Sequence, residues 1–486
     1  MSARRSRVAA RWRIAGAALA GALALAGWLH PPTIDVLFRV DARLIDLWQR
    51  LSGEDEPSGE VVVIGVDSAA IREKGRWPWS RGDIAELVEL VADAGARSLT
   101  LDVLLTEPGP YADVNLFRTF RQNAPEAIEL LPESPDARLA EALDRLPVAL
   151  AVAAGAEEAI ADLSAQTFCA DAARLTDAEA RPYYVQCLLL PLEMFEARAD
   201  AYAVAFAEQD LDGVVRRARA FVAQPYETAD GEKAETIVTA MPVATVTACA
   251  GVDRGCLSFE RDMPFLREVE ANLSGYRMPL TRAEGPSPPP VPMTPSFGLW
   301  LDFGALRALG PGGEGPSRMI SAAAVFQGDP DETARIEGKH AVVGYTRLGG
   351  IDQHTTPLAA ESGTPGVLIQ ALAADNLIAG RVLAAPAWGR HLGLGFAAAA
   401  ALLALVRFGA RNLARLTAIG VALIAAPVAA SWLAFEFGGT ILNGATPAIA
   451  ATLAWTPVLF GRIVAIRRDL ATVRETAARD EARMAA

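Results

Sequence analysis

The residues from which reactive centres are usually built are scarce in this chain: of 486 residues, four are histidine and four are cysteine. His30, His340, His354 and His391 are scattered, so none stands with the nucleophile or metal set that catalysis needs. Asp352 and His354 are close enough to share a metal, but two ligands do not make a site. Cys169, Cys187, Cys249 and Cys256 lack the short spacings of structural zinc. No predicted strand runs into a GxGxxG or Walker sequence, so no phosphate cradle is expected; Gly344, Gly349 and Gly350 read as a flexible turn. Positive charge is short as well, and a net charge of -13 opposes the basic footprint that nucleic acid demands. No cofactor, metal or nucleic acid is therefore expected.

What the chain does have is four apolar runs, one near the N-terminus and three crowded into the last hundred or so residues. A bilayer core needs roughly 20 apolar residues as helix, and residues 14–30, 391–407, 416–435 and 441–461 are read as transmembrane helices. Arginines in short flanks stay on the cytoplasmic side. Arg4, Arg5, Arg7, Arg11 and Arg13 place residues 1–13 inside, and Arg407, Arg411 and Arg415 follow the second run. After the uncharged turn Gly438 to Thr440, the fourth run returns to Arg462, Arg467 and Arg468. Residues 31–390 then lie outside, in an integral plasma membrane protein of bacterial inner-membrane type with both termini cytoplasmic. A cleaved leader is the alternative for the first run, with Ala22, Ala24 and Ala26 as its small residues. It leaves the middle segment outside.

Charge follows the same division. From Pro31 to Arg390 there are 53 acidic and 31 basic residues, net -22, while the rest of the chain is net +9. All four cysteines fall in the outer segment, as an oxidising compartment permits. Four cysteines allow three pairings; Cys169 with Cys187 and Cys249 with Cys256 is favoured because each closes a short loop.

The outer domain opens with Glu60 to Asp67, EVVVIGVD, a continuous apolar run of the kind that strands buried on both faces of a parallel sheet show. Arg81 to Ala94 repeats Ile84, Leu87, Val88 and Val91 at helical spacing, with Gly95 as its stop. Ser98 to Leu105 reads as the next strand of a βαβ unit, and Leu146 to Ala153 as a third. A long helical insertion is expected from Gly155 to Ala207, then a strand over Arg217 to Ala223, an apolar helix over Glu235 to Cys249 and a proline-rich extended loop over Ala283 to Ser296. Lys339 to Tyr345 is another buried strand, and Val367 to Ile378 a helix with a polar side at Gln370, Asp375 and Asn376. The fold class is α/β: an extracytoplasmic sensor domain with a mainly parallel central sheet and helical insertions, plus four transmembrane α-helices.

Two blocks carry a resemblance. GRWPWSRGDIAELVELVADAGARSLTLDVLLTEP, from Gly75 to Pro108, and GKHAVVGYTRLGGIDQHTTPLAAESGTPGVLIQALAADNLIAGRVL, from Gly338 to Leu383, resemble the type-two CHASE domain, the cyclase and histidine-kinase associated sensory extracellular domain. The resemblance implies one N-terminal and three C-terminal spans around a sensor. Gln370 departs from it, since the closing helix usually carries histidine there. Family members often continue into a cyclase or kinase, whereas this sequence stops at Ala486.

Ligands of parallel α/β sheets sit beyond the carboxyl ends of the strands, at a switch in strand order. Asp67, Asp102, Thr346, Arg347 and Asp352 follow or end three predicted strands and are candidate ligand contacts. The competing reading is structural, with Asp67 capping a helix and Asp102 pairing with an arginine. Trp77, Trp79 and Arg81 form the sharpest local motif; they stack on a ligand, or wedge a loop against the sheet with Arg81 paired to Asp102. After the last span, Ile463, Ile466, Leu470, Val473 and Ala477 recur at four and three spacing, the seam of a coiled coil over a cytoplasmic stem at 462–486; a lone amphipathic helix is the alternative. The expected protein is a homodimeric transmembrane sensor, not an enzyme, with the lipid bilayer, an unknown small-molecule or envelope ligand and a cytoplasmic cyclase- or kinase-type output as partners. Two other classes remain open: a cell-envelope assembly protein binding through its acidic domain, and an extracytoplasmic enzyme using Asp67 and Asp102.

Overall fold

The computed structural model describes residues 31–109, 134–155, 167–169, 185, 187–205, 207–227, 233–248, 257–258, 276–278, 281–282, 291–293, 298–311, 318–347, 352–359, 363–386, 393, 395–396, 399–400, 403 and 413–485. The chain forms two compact units, Ser52–Ala384 and a second made of Met1–Leu51 with Ala385–Ala486. The expected outer domain began at residue 31. The compact unit is narrower, because Pro31–Leu51 is a helix, α1, that belongs with the C-terminal helices.

In the larger unit, six strands run parallel. They are β1 (Val61–Val66), β2 (Ser98–Leu101), β3 (Val148–Gly155), β4 (Ala201–Val204), β5 (Ile320–Ser321) and β6 (His340–Tyr345), in the spatial order β5-β1-β6-β2-β3-β4. The unbroken apolar runs of β1 and β6 are explained by their place at the centre of the sheet, where both faces are covered. Alternate residues of β1 go to opposite layers. Val62, Ile64 and Val66 meet α2 (Arg81–Asp93), α3 (Pro135–Leu143) and α5 (Ala322–Phe326). Val61 and Val63 meet α4 (Met241–Thr247) and α6 (Gly366–Ala379).

Local chemistry sets the helix ends. Ser80 caps α2 by accepting from the Asp83 amide, and Ile84, Leu87, Val88 and Val91 are buried as their spacing predicts. Gly95, at φ +77°, then turns the chain towards β2, a backbone state that costs glycine little. α6 is buried from Gly366 to Leu377, so its polar residues are not a wet side. Asp375 accepts from the Ser58 amide (2.8 Å), the Ser58 hydroxyl (2.6 Å) and Arg381 Nη2 (2.5 Å). Asn376 pairs with the Asp302 backbone at 2.7 and 3.1 Å. Buried polar groups persist when satisfied in this way.

Several expected elements differ. β2 stops at Leu101 rather than Leu105, the Asp102 amide making the final ladder contact with Val343 O (2.8 Å). β1 and β2 are not neighbours, since β6 lies between them. Within the insertion expected to be helical, the described residues form strands Thr167–Cys169, Cys187–Leu189 and β4, with one short helix at Glu193–Glu196. The helix expected over Glu235 to Cys249 is a strand, Lys233–Thr239, followed by α4, whose Pro242 sits in the first turn, where a missing amide hydrogen is tolerated. In the proline-rich loop, Val291–Met293 pairs antiparallel with Tyr276–Met278; residues 283–290 and 294–296 lie outside the described residues.

In the smaller unit, α7 (Leu413–Gly438) and α8 (Ala445–Ala485) are each long and apolar enough to cross a membrane. α8 runs unbroken through the positions expected as span and stem. Residues 14–30 and most of 391–407 lie outside the described residues, as do Cys249 and Cys256. Glycine allows the close crossing of α7 and α8 at Gly420, where a Cβ would meet Trp455 at 2.3 Å. The Trp455 indole donates to Leu416 O at 2.9 Å, satisfying a polar group that lipid could not.

Candidate ligand-binding crevice

β6 and β2 are adjacent in the sheet, yet the next described helices after them pack on opposite faces, α6 on one and α3 on the other. Where neighbouring strands diverge in this way, a crevice opens beyond their carboxyl ends. A cavity of about 430 Å³ lies there, lined by Asp102, Leu104, Ala153, Ala205, Ala207, Tyr345, Asp352, His354, Gly366 and Gln370. That volume is within the range of small-molecule sites, roughly 300–1,000 Å³.

Glycine at two positions lets the walls close. A Cβ on Gly344 of β6 would come 2.7 Å from Val367 Cγ2 and 3.2 Å from Asp102 Cβ, so its absence lets α6 start directly above the strand ends. A Cβ on Gly366 would fall 2.2 Å from Asp352 Oδ2. The Asp352 carboxylate therefore rests at the first turn of α6, where free amides and the helix dipole favour negative charge. His354 Nε2 lies 2.7 Å from Asp352 Oδ1, and Gln209 Nε2 is 3.5 Å from His354 Nδ1.

Asp102 has no such support. Its carboxyl receives no hydrogen bond from the described residues, and it is half-buried where it borders the cavity. Burial, and then the charge of Asp352, push its carboxyl up from 3.8 to about 7. Gln370, one turn beyond Gly366, brings its amide into the wall from within α6, where it is 4 % exposed. The outer wall at Ala207 is held by a buried ion network. Arg216, 1 % exposed, pairs with Asp210 (2.7 Å) and Asp212 (2.8 Å), while Arg217 pairs with Asp210 (2.6 Å) and Glu208 (3.1 Å).

Of the sequence candidates, Asp102 and Asp352 meet in this cavity. The others do not line it. Asp67 caps Ser68–Lys74, accepting from the Ala69 and Ala70 amides at 3.0 and 2.9 Å and from the Ser321 hydroxyl at 2.8 Å; it does not line the crevice with Asp102. Arg81 pairs with Asp136 (3.5 Å) and donates to Glu107 O (3.0 Å), not to Asp102 as expected. Trp79 is buried, donates to Gly75 O and packs edge-on between Trp77 (5.2 Å) and Phe326 (5.5 Å). Trp77 reaches Tyr345 at 6.2 Å, so the indoles wedge the loop and only the tyrosine faces the cavity. Thr346 is buried over Gly65 and Arg347 is exposed. Tyr345, Gly366, Gln370 and the alanines went unrecognised as lining; a glycine directly after Pro365 at a helix start was the usable signal. Cys169 and Cys187 are Cα partners across two antiparallel strands, with Cys187 buried. Among the described residues no group of three or more His, Cys, Asp or Glu could hold a metal.

The chain thus joins an α/β unit with a crevice at its strand switch to two helices long and apolar enough to cross a membrane. The CHASE2 domain profile matches residues 18–409, and the chain belongs to that family of sensory extracellular domains. No curated protein matches it. No solved structure matches it either.

The raised carboxyl of Asp102 makes stability depend on pH with a definite sign. The folded state holds this proton more tightly than the unfolded state does, so the stabilisation is complete below about pH 4 and is lost as pH rises through about 7, at up to about 1.4 kcal/mol per unit. Asp102→Asn should flatten the unfolding free energy between pH 5 and pH 8, measured by denaturant titration. Equal slopes in both proteins would show that Asp102 ionises freely.

Proposed function

We propose that this protein is a transmembrane sensor whose CHASE2 domain takes a small ligand in the crevice between Asp102, Asp352 and Gln370, outside the membrane. The reading rests on one observation above the rest: a half-buried carboxyl that accepts no hydrogen bond from the described residues, beside a second carboxylate, in a cavity of ligand size. The charge pattern favours a ligand that brings a cationic or hydrogen-donating group and disfavours an anion, since His354 is the sole basic side chain lining the cavity among the described residues.

α6 supports a relay. Its first turns carry Gly366 and Gln370 in the crevice, and its last turn carries Asp375, which clamps Ser58 ahead of β1 and Arg381 beyond the helix. A ligand that shifts α6 acts on both ends of the domain at once. The arginine flanks orient α7 and α8 with the stem in the cytoplasm, and Ile463, Ile466, Leu470, Val473 and Ala477 form the seam through which two chains meet. Exposure of Ile463, Leu470 and Val473 on a single continuous helix supports this. The output is a cyclase- or kinase-type module reached through that stem. Cys169 and Cys187 are joined as a disulfide, for which their direct cross-strand register speaks.

Three measurements test these statements. In the detergent-solubilised chain, ethylammonium should raise the melting temperature more than the isosteric neutral propane does, and Asp102→Asn should abolish the difference; equal shifts would defeat the charge argument. Leu470→Asp with Val473→Asp should lower self-association by at least about tenfold, since two charges enter an apolar seam. Unchanged sedimentation would leave the stem without a role in pairing. Without reductant, the peptides bearing Cys169 and Cys187 should be recovered as one linked species, and alkylation of both would refute the bond.

A further inference from the structure

α1 presents two unlike faces along its described side chains. Asp41, Ala42, Ile45, Asp46, Trp48 and Gln49 are buried, while Arg39, Val40, Arg43, Leu47, Arg50 and Leu51 are exposed at three and four spacing. The exposed arc holds an apolar stripe beside a cationic one. Arg39 and Arg43 have no ion pair among the described residues.

The buried face fixes the level of α1 along the membrane helices. Asp41 accepts from the Ala445 amide (2.8 Å) and the Thr446 amide and hydroxyl, capping α8. Trp48 Nε1 donates to Ser431 Oγ (3.1 Å), and its ring lies 5.0 Å from Trp432. From Ser431 along α7 to Arg415 is about 24 Å, and from Ala445 along α8 to Arg462 about 26 Å, at about 1.5 Å per residue. Both are close to a hydrocarbon thickness of about 30 Å. α1 therefore lies where hydrocarbon gives way to headgroups, the level at which paired tryptophans concentrate.

We propose that α1 is an interfacial helix that docks on the phospholipid surface, with Val40, Leu47 and Leu51 among acyl chains and Arg39 and Arg43 on lipid phosphates. On α7 of the same unit, Leu433 and Phe437 are 52 % and 83 % exposed. A second copy is the poorer occupant, because a two-fold contact through this face would bring its arginine stripe against its own copy. Apolar and cationic residues side by side match a bilayer boundary. The inference rests on α7 and α8 crossing the membrane and is independent of the crevice.

The test places p-benzoylphenylalanine at Leu47, or at Val421 on the exposed side of α7, in the full chain in phosphatidylcholine nanodiscs with or without phosphatidylglycerol. Phospholipid adducts are expected at both positions, and the adduct at 47 should rise several-fold with phosphatidylglycerol. Arg39→Gln with Arg43→Gln, which leaves the contacts of Asp41 and Trp48 in place, should remove that rise. A protein adduct at 47, or lipid at 421 and none at 47, overturns the docking, and an undiminished rise in the glutamine variant overturns the phosphate contact. No lipid adduct at 421 overturns the membrane-spanning reading and the inference with it.

Discussion

The parallel register of β1 with β6, Val61 opposite His340 through Val66 opposite Tyr345, is the constraint on which the sensor domain depends. These strands come from opposite ends of the domain, and everything between them in sequence must be accommodated before they can pair. Contacts so distant in sequence are formed late and at a high entropic cost. Once made, they do three things. They close the sheet at its centre, they put Tyr345 at the mouth of the crevice, and they deliver the chain to the start of α6. The segment between β3 and β5 adds β4 at the edge beyond β3 and returns α4 to cover one face of this centre, where Val243 and Val246 pack with Val61 and Val63.

The crevice follows from topology more than from any motif. The chain paths leaving neighbouring β6 and β2 part because the described helices that come after them pack on opposite layers, and only small residues can let those layers approach. Gly344 and Gly366 provide the approach, and Ala153, Ala205 and Ala207 keep the far wall open. The burial of α6 on all sides then turns Asp375 and Asn376 into fasteners. A helix with charged or amide groups at buried positions needs each of them satisfied. Asp375 meets that need with Ser58 and Arg381, which is how one helix joins the chain ahead of the sheet to the chain behind it.

Much of this was legible in the sequence, and the reasons separate cleanly. The central strands could be read because burial on both faces demands unbroken apolar runs, and α2 because Ser80, its apolar spacing and Gly95 mark start, face and stop. The strand-end rule led to Asp102 and Asp352. The partner of Arg81 is not legible, because proximity in sequence carries no information about which carboxylate comes near; Asp136, and not Asp102, arrives from α3 by tertiary packing. Three-residue strands such as Thr167–Cys169 are too short to show a period, so the insertion looked helical from its composition. The lining alanines were invisible because a small side chain signals nothing until its surroundings are known.

α1 escaped notice for a different reason: charge. Its arginines and aspartates alternate along the sequence, which resembles an ordinary soluble start to a domain. On the helix Asp41 turns towards α8 while Arg39, Arg43 and Arg50 are exposed. Asp41 shows what this separation achieves. A buried carboxylate near lipid would be costly alone, but at the N-terminus of α8 it answers free amide donors and a favourable dipole. The cost of burying Asp41 and the cost of leaving the α8 amides bare are removed by the same contact, so α1 and α8 are each completed by the other. A helix that caps α8 must stay at that helix's end, and its remaining face is left exposed.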